Sequence, residues 1–102
     1  MERGGCVYMM SNKNNSTLYI GVTSNLIARV QQHKNNENPY SFTARYKLHK
    51  LVYYEAFGSI EEAIAQEKYL KGKRCSYKDE LIDILNLERK DLWEEVKTGS
   101  FY

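Results

Sequence analysis

Five residues have side chains that could do chemistry together: Tyr8, Tyr19, Arg29, His33 and Glu67. Arginine binds anions, histidine and tyrosine exchange protons, and glutamate offers hard oxygen to a divalent cation. Hydrolysis of a phosphodiester needs that set: a metal on a phosphate oxygen, a guanidinium on the developing charge, and a base for the attacking water. Glu67 stands out most. It falls near the middle of a helical stripe formed by Ile60, Ala63, Ile64 and Leu70, whereas Glu61 and Glu62 fall away from that stripe. An unpaired carboxylate on an inner face is costly, so Glu67 must meet a cation, either an arginine or a metal ion. Arg29 is a candidate neighbour. A Glu67–Arg29 ion pair with no chemistry is the plainer alternative.

The elements that must position these residues read as follows. Cys6–Met10 and Thr17–Val22 are strands joined by the polar loop Ser11–Ser16. A symmetric hairpin sets Met10 opposite Thr17, Met9 opposite Leu18 and Tyr8 opposite Tyr19, with the two tyrosines on one face. Thr23 or Ser24 caps a helix running to His33 or Lys34, with Leu26, Ile27 and Val30 as its apolar stripe. Arg29 and His33 lie one turn apart on the shoulder of that stripe. Residues 35–46 hold the only proline and read as a long loop; Leu51–Phe57 is the third strand. Ser59 and Glu62 form a capping box for the helix that Gly72 ends. A further helix runs from Ser76 to about Leu85 with Leu81, Ile82 and Leu85 inward. A last helix around Asp91–Val96 packs Leu92, Trp93 and Val96 on the body, and residues 98–102 form a frayed tail.

Composition narrows the class. The 102 residues suffice for one domain with a modest core, and 42% hydrophobic with 27% charged residues is a soluble globular balance. No apolar run approaches a membrane span and the polar start is no signal peptide, which points to the cytoplasm and a monomer as default. Cys6 and Cys75 are far apart and stay reduced there, and the two histidines give no zinc spacing. Charge is segregated: residues 1–54 carry seven Lys/Arg against two acids, and residues 55–102 eight against eleven. Yet Lys68, Lys71, Lys73, Arg74 and Lys78 form a run of cations without an acid. A solvated helix surface accounts for such a run; so does one face turned to a polyanion. Nine tyrosines suit base stacking and small cores alike.

On these residues the chain resembles the GIY-YIG nuclease domain, in particular small stand-alone bacterial proteins similar to the N-terminal domain of the nucleotide-excision-repair incision subunit. The half-motifs are Cys6-Val7-Tyr8 and Tyr19-Ile20-Gly21, followed by Thr23, Arg29 and His33. The helix of Ala-x-x-x-Glu-x-x-Leu-Lys type is Ala63, Glu67, Leu70 and Lys71, and the strand Lys50–Glu55 also fits. The resemblance covers about residues 6–96. It implies an α+β fold, a three-stranded antiparallel sheet flanked by helices. It further implies one Mg²⁺ (or Mn²⁺) held by Glu67 and waters, Arg29 on the scissile phosphate, and Tyr8 or Tyr19 positioning or deprotonating water. Hydrolysis would be in-line, without a covalent intermediate. His33 is either a phosphate contact or a helix-end residue. Cys6 departs from the family's first glycine, and Val22 from a lysine found in some relatives. Asp79 and Asn86 lie near where relatives place an asparagine.

The leading expectation is a metal-dependent DNA endonuclease, structure-selective or weakly sequence-specific, with DNA repair as its setting. Lys47, Lys50, Lys68, Lys71, Lys73, Arg74 and Lys78 would track the backbone, with Arg45 beside them. RNA remains a possible substrate by residue type, and a protein partner or a structured substrate would supply selectivity. The alternative is a nucleic-acid-binding or scaffold module that keeps the fold without catalysis. A third class, an interaction domain, would use Tyr53, Tyr54 or Trp93 as its contact patch.

Overall fold

The computed structural model describes residues 4–35 and 42–97. Three strands, β1 (Gly5–Ser11), β2 (Leu18–Thr23) and β3 (Lys50–Phe57), form an antiparallel sheet in the order β2-β1-β3. The helices are α1 (Leu26–Lys34), α2 (Phe42–Arg45), α3 (Ile60–Lys71), α4 (Cys75–Leu85) and α5 (Trp93–Lys97). The expected three-stranded α+β architecture is therefore present.

β1 is central and every residue in it is buried, because helices cover both faces of the sheet. Strand alternation divides its side chains between two cores. Cys6, Tyr8 and Met10 pack with Leu26 and Val30 of α1, Leu51, Leu92 and Val96. Val7 and Met9 pack with Ala63 and Leu70 of α3, Ile82 of α4, Val52 and Tyr53. A bulge opposite Met9 and Met10 gives β3 one extra residue, so that consecutive Val52 and Tyr53 both join the second core.

Several expectations are corrected. The hairpin register is shifted by two: Tyr8 pairs with Gly21, Met10 with Tyr19 and Ser11 with Leu18. Ser11 belongs to the strand, and the loop is built around Asn12. Its Oδ1 accepts from the backbone of Ser16 (2.8 Å) and Thr17 (3.2 Å), while Asn15 takes a left-handed φ of 59°. A shift of two preserves the face, so Tyr8 and Tyr19 remain neighbours, now diagonally. Asn25, not Thr23 or Ser24, caps α1 by accepting from Ala28 N at 3.1 Å; the Thr23 hydroxyl instead accepts from Asn25 N and braces the turn. α4 begins at Cys75 rather than Ser76. α2 interrupts the expected loop, whose residues 36–41 lie outside the described residues, as does the expected tail 98–102. Ile64 and Leu85 were placed on inner faces by periodicity but are 37% and 47% exposed. Ile64 lies at the margin of its helix's stripe, and Leu85 is the last residue of α4. The expected anchors Ala63, Leu70, Ile82, Leu92 and Val96 are buried, and Ser59 caps α3 as expected, accepting from Glu62 N at 3.2 Å.

Candidate active site

The site forms where the β1–β2 ladder meets α1. Gly21 stands directly opposite Tyr8. A Cβ on Gly21 would lie 2.5 Å from both Cζ and the hydroxyl oxygen of Tyr8 and 2.9 Å from Cε2 of Tyr19. The glycine is thus required for space: the Tyr8 ring crosses the backbone there, beside Tyr19. α1 then places His33 against both rings. The Tyr8 hydroxyl and His33 Nε2 are hydrogen-bonded at 2.8 Å. Ring centroids are 6.2 Å apart for Tyr8–Tyr19, 5.7 Å for Tyr8–His33 and 5.6 Å for Tyr19–His33, all tilted or edge-on as aromatic quadrupoles favour.

Tyr8 is fully buried, Tyr19 and His33 are partly buried beside it, and the protons are displaced accordingly. Burial pushes the Tyr8 phenol well above the ordinary tyrosine range; Tyr19 adds to this, the Arg29 guanidinium opposes it, and the Glu67 charge raises it further. Burial also holds the His33 imidazole down at about 4, helped by the charges of Arg29 and His49. At neutral pH the pair is therefore a protonated phenol and a neutral imidazole. With the imidazole proton on Nδ1, the Tyr8 O–H donates to Nε2.

Arg29 and Glu67 flank this cluster without bonding to it. Arg29 is exposed on α1. Glu67, on α3, keeps 15% of its side chain exposed and forms a salt bridge with Lys71 at 3.0 Å. No salt bridge joins Arg29 to Glu67 among the described residues, so the expected partner is replaced by the lysine one turn further along the same helix. Lys71 was anticipated only as a backbone contact. Its i,i+4 spacing from Glu67 was the available signal. Lys71 and Lys78 line a shallow cleft with Leu18, Tyr19 and Ile20, which brings the α3–α4 cations to the Tyr19 side of the cluster.

The other expected contacts divide. Lys47 and Lys50 line a separate groove of about 530 Å³ with Lys13, Lys34 and His49. Lys34 donates to the carbonyl of His49 at 2.7 Å and to Asp91, joining the end of α1 to the start of β3 beside His33. Lys68 and Arg74 are exposed, and Lys73 lies over the Tyr69 ring. Asp79 is a surface partner of Arg89 at 3.5 Å. Asn86 is buried and structural, donating to the carbonyls of Val52 (3.3 Å) and Lys90 (2.6 Å). Tyr53 is a core residue whose hydroxyl donates to Glu55 (3.0 Å), and Trp93 packs against the first core. Burial drives the Cys6 thiol up to about 12, so the residue in the first-glycine position is inert packing.

Residues 4–79 match the GIY-YIG catalytic domain. The chain belongs to the GIY-YIG family. Its small relatives are called UPF0213 proteins. One from Clostridium perfringens is 33% identical over 90 residues, covering 88% of this chain and 95% of that protein. One from Autographa californica nuclear polyhedrosis virus is 34% identical over 71 residues, covering 70% of this chain and 66% of the viral protein. The solution NMR structure of a UPF0213 protein from Bacillus halodurans superposes with a TM-score of 0.51 at 26% identity, covering 79% of this chain and 84% of that one. In GIY-YIG terms, the tyrosine of the first half-motif lies over the glycine of the second. The ladder and the family motif thus describe one contact.

The family implies a divalent metal. Among the described residues no group of three His, Cys, Asp or Glu forms a metal cage, so an ion there would be held by fewer than three such side chains. Glu67 fits that role: it is mostly shielded and already holds a cation, the Lys71 ammonium. One carboxylate plus waters and substrate phosphate is an ordinary environment for Mg²⁺. No helix among the described residues is long and apolar enough to cross a membrane.

Proposed function

We propose that this chain is a metal-dependent endonuclease that hydrolyses DNA phosphodiester bonds, the whole chain acting as one GIY-YIG unit. The observation that carries the reading is the packed Tyr8–Tyr19–His33 cluster over Gly21, flanked by Arg29 and Glu67. Glu67 would hold Mg²⁺ or Mn²⁺, which when bound supplies charge to a phosphate oxygen. Arg29, exposed beside the cluster, binds the scissile phosphate. The Tyr8 hydroxyl, its own proton donated to the His33 imidazole, accepts a hydrogen bond from the attacking water and orients it, and the water proton is lost to solvent. The water oxygen then attacks phosphorus in line, and the leaving oxygen is protonated from solvent. Tyr8 is placed for this step by its hydrogen bond to His33 at 2.8 Å, with the Tyr19 ring packed beside it. Tyr19 orients the pair.

Selectivity would come from the structure of the substrate or from a partner protein, since phosphate contacts carry no sequence reading. The Glu67–Lys71 salt bridge favours a second reading, a nucleic-acid-binding module whose carboxylate is permanently neutralised. Labelled duplex, single-stranded, flap and branched DNA, incubated with Mg²⁺ or Mn²⁺, separates the two. The nuclease reading requires cleavage that chelator abolishes and Arg29→Ala reduces at least a hundredfold. Salt-dependent binding without cleavage supports the module.

A further inference from the structure

The α3–α4 turn carries a cluster that the nuclease reading does not use. Tyr69, near the end of α3, is 49% exposed and meets Tyr77 of α4 edge-on, with centroids 6.2 Å apart. Lys73, in the turn between them, sets its ammonium 4.5 Å from the Tyr69 centroid and 5.4 Å from that of Tyr77. Tyr77 packs against the second core on its other side, so the platform is anchored while Tyr69 projects. None of Lys68, Lys73, Arg74 and Lys78 forms a salt bridge with a described residue.

We propose that Tyr69, backed by Tyr77 and Lys73, is a stacking platform for an unpaired base of single-stranded DNA. An exposed aromatic face within a cationic surface is the chemistry that binds single strands without reading sequence, because every base has a π-face and every nucleotide a phosphate. Duplex DNA offers phosphates but no free base face, so the platform discriminates strand state. A purely structural cluster gives no reason to leave half of Tyr69 in water. Hydrogen bonding to Lys73 and to Tyr77, with the Lys73 charge beside it, also pulls the Tyr69 phenol below its ordinary range. Lys78, one residue beyond Tyr77, lines the cleft beside Tyr19, which gives the strand a cationic route towards the candidate active site. The inference rests on the nuclease reading only for what the bound strand is used for; the binding itself is independent of cleavage.

The test measures binding in chelator, where no cleavage occurs. Fluorescein-labelled oligo-dT and a duplex of equal length are titrated with wild type, Tyr69→Ala and Tyr69→Phe. Tyr69→Ala is expected to weaken oligo-dT binding on the order of tenfold, to change duplex binding less than twofold, and to be rescued by Tyr69→Phe. Equal weakening on both ligands, no weakening, or loss in Tyr69→Phe as well overturns the platform. A Tyr69-dependent preference for oligo-dT in a protein that never cleaves would leave the platform standing and remove the nuclease reading. Cleavage without that preference would do the reverse.

Discussion

Gly21→Ala is the sharpest probe of the site's construction. The new methyl would sit 2.5 Å from two atoms of Tyr8 and 2.9 Å from the Tyr19 ring, inside the roughly 3.4 Å at which contact becomes repulsive. Tyr8 cannot swing aside, because it is fully buried and tied to His33. Overpacking of this kind costs about 1–3 kcal/mol, and displacing the phenol forfeits about 1 kcal/mol of hydrogen bond, so we expect a loss of about 3 kcal/mol. Urea unfolding followed by far-UV circular dichroism should show the midpoint lowered by about 2 M with an unchanged slope. In a Tyr8→Leu background the same substitution should cost less than in wild type, since only the 2.9 Å approach to the Tyr19 ring remains. A Gly21→Ala protein within about 0.5 kcal/mol of wild type would refute the close approach and the proton pair built on it.

Other outcomes follow from the same contacts. His33 is held near 4 against an ordinary value of 6.5, so the unfolded chain binds more protons between those values and stability falls as pH drops through that window. The loss is about 2 kcal/mol from pH 7 to 4, read by urea melts, and it should vanish in His33→Asn. Asn86→Ala strips the Val52 and Lys90 carbonyls of a donor and should cost about 2–3 kcal/mol in the same melts, while activity per folded molecule stays unchanged. Lys71→Met frees Glu67 from its i,i+4 partner and should tighten Mg²⁺ or Mn²⁺ binding severalfold by calorimetry.

Much of this was legible in the chain. The apolar runs of β1 and β2 on either side of a polar loop, the Ser59–Glu62 cap and the Gly72 stop identify their elements because local chemistry decides them. Tyr8, Tyr19 and His33 come together because sheet face and helical turn are periodic quantities. Register is a different matter. It depends on how Asn12 folds the connecting loop, which starts one residue later than the apolar pattern indicates because Ser11 joins the strand. Glu67 was recognisable as a carboxylate in need of a cation, but periodicity named Arg29 across the fold while Lys71, one turn away, supplied it. The exposure of Ile64 reflects its place at the margin of the Ala63–Leu70 stripe, where apolar character alone does not fix burial. Lys47 and Lys50 share a charge sign with Lys71 and Lys78 but line another groove, because linear charge carries no information about which face it reaches.

The central claim is that Glu67 works beside the Tyr8–His33 pair in phosphodiester hydrolysis. Single-turnover cleavage of end-labelled branched DNA in Mg²⁺, comparing wild type with Glu67→Gln of equal thermal stability, tests it most directly. The account predicts cleavage by wild type and a loss of at least a thousandfold in the variant; undiminished cleavage by folded Glu67→Gln would contradict it.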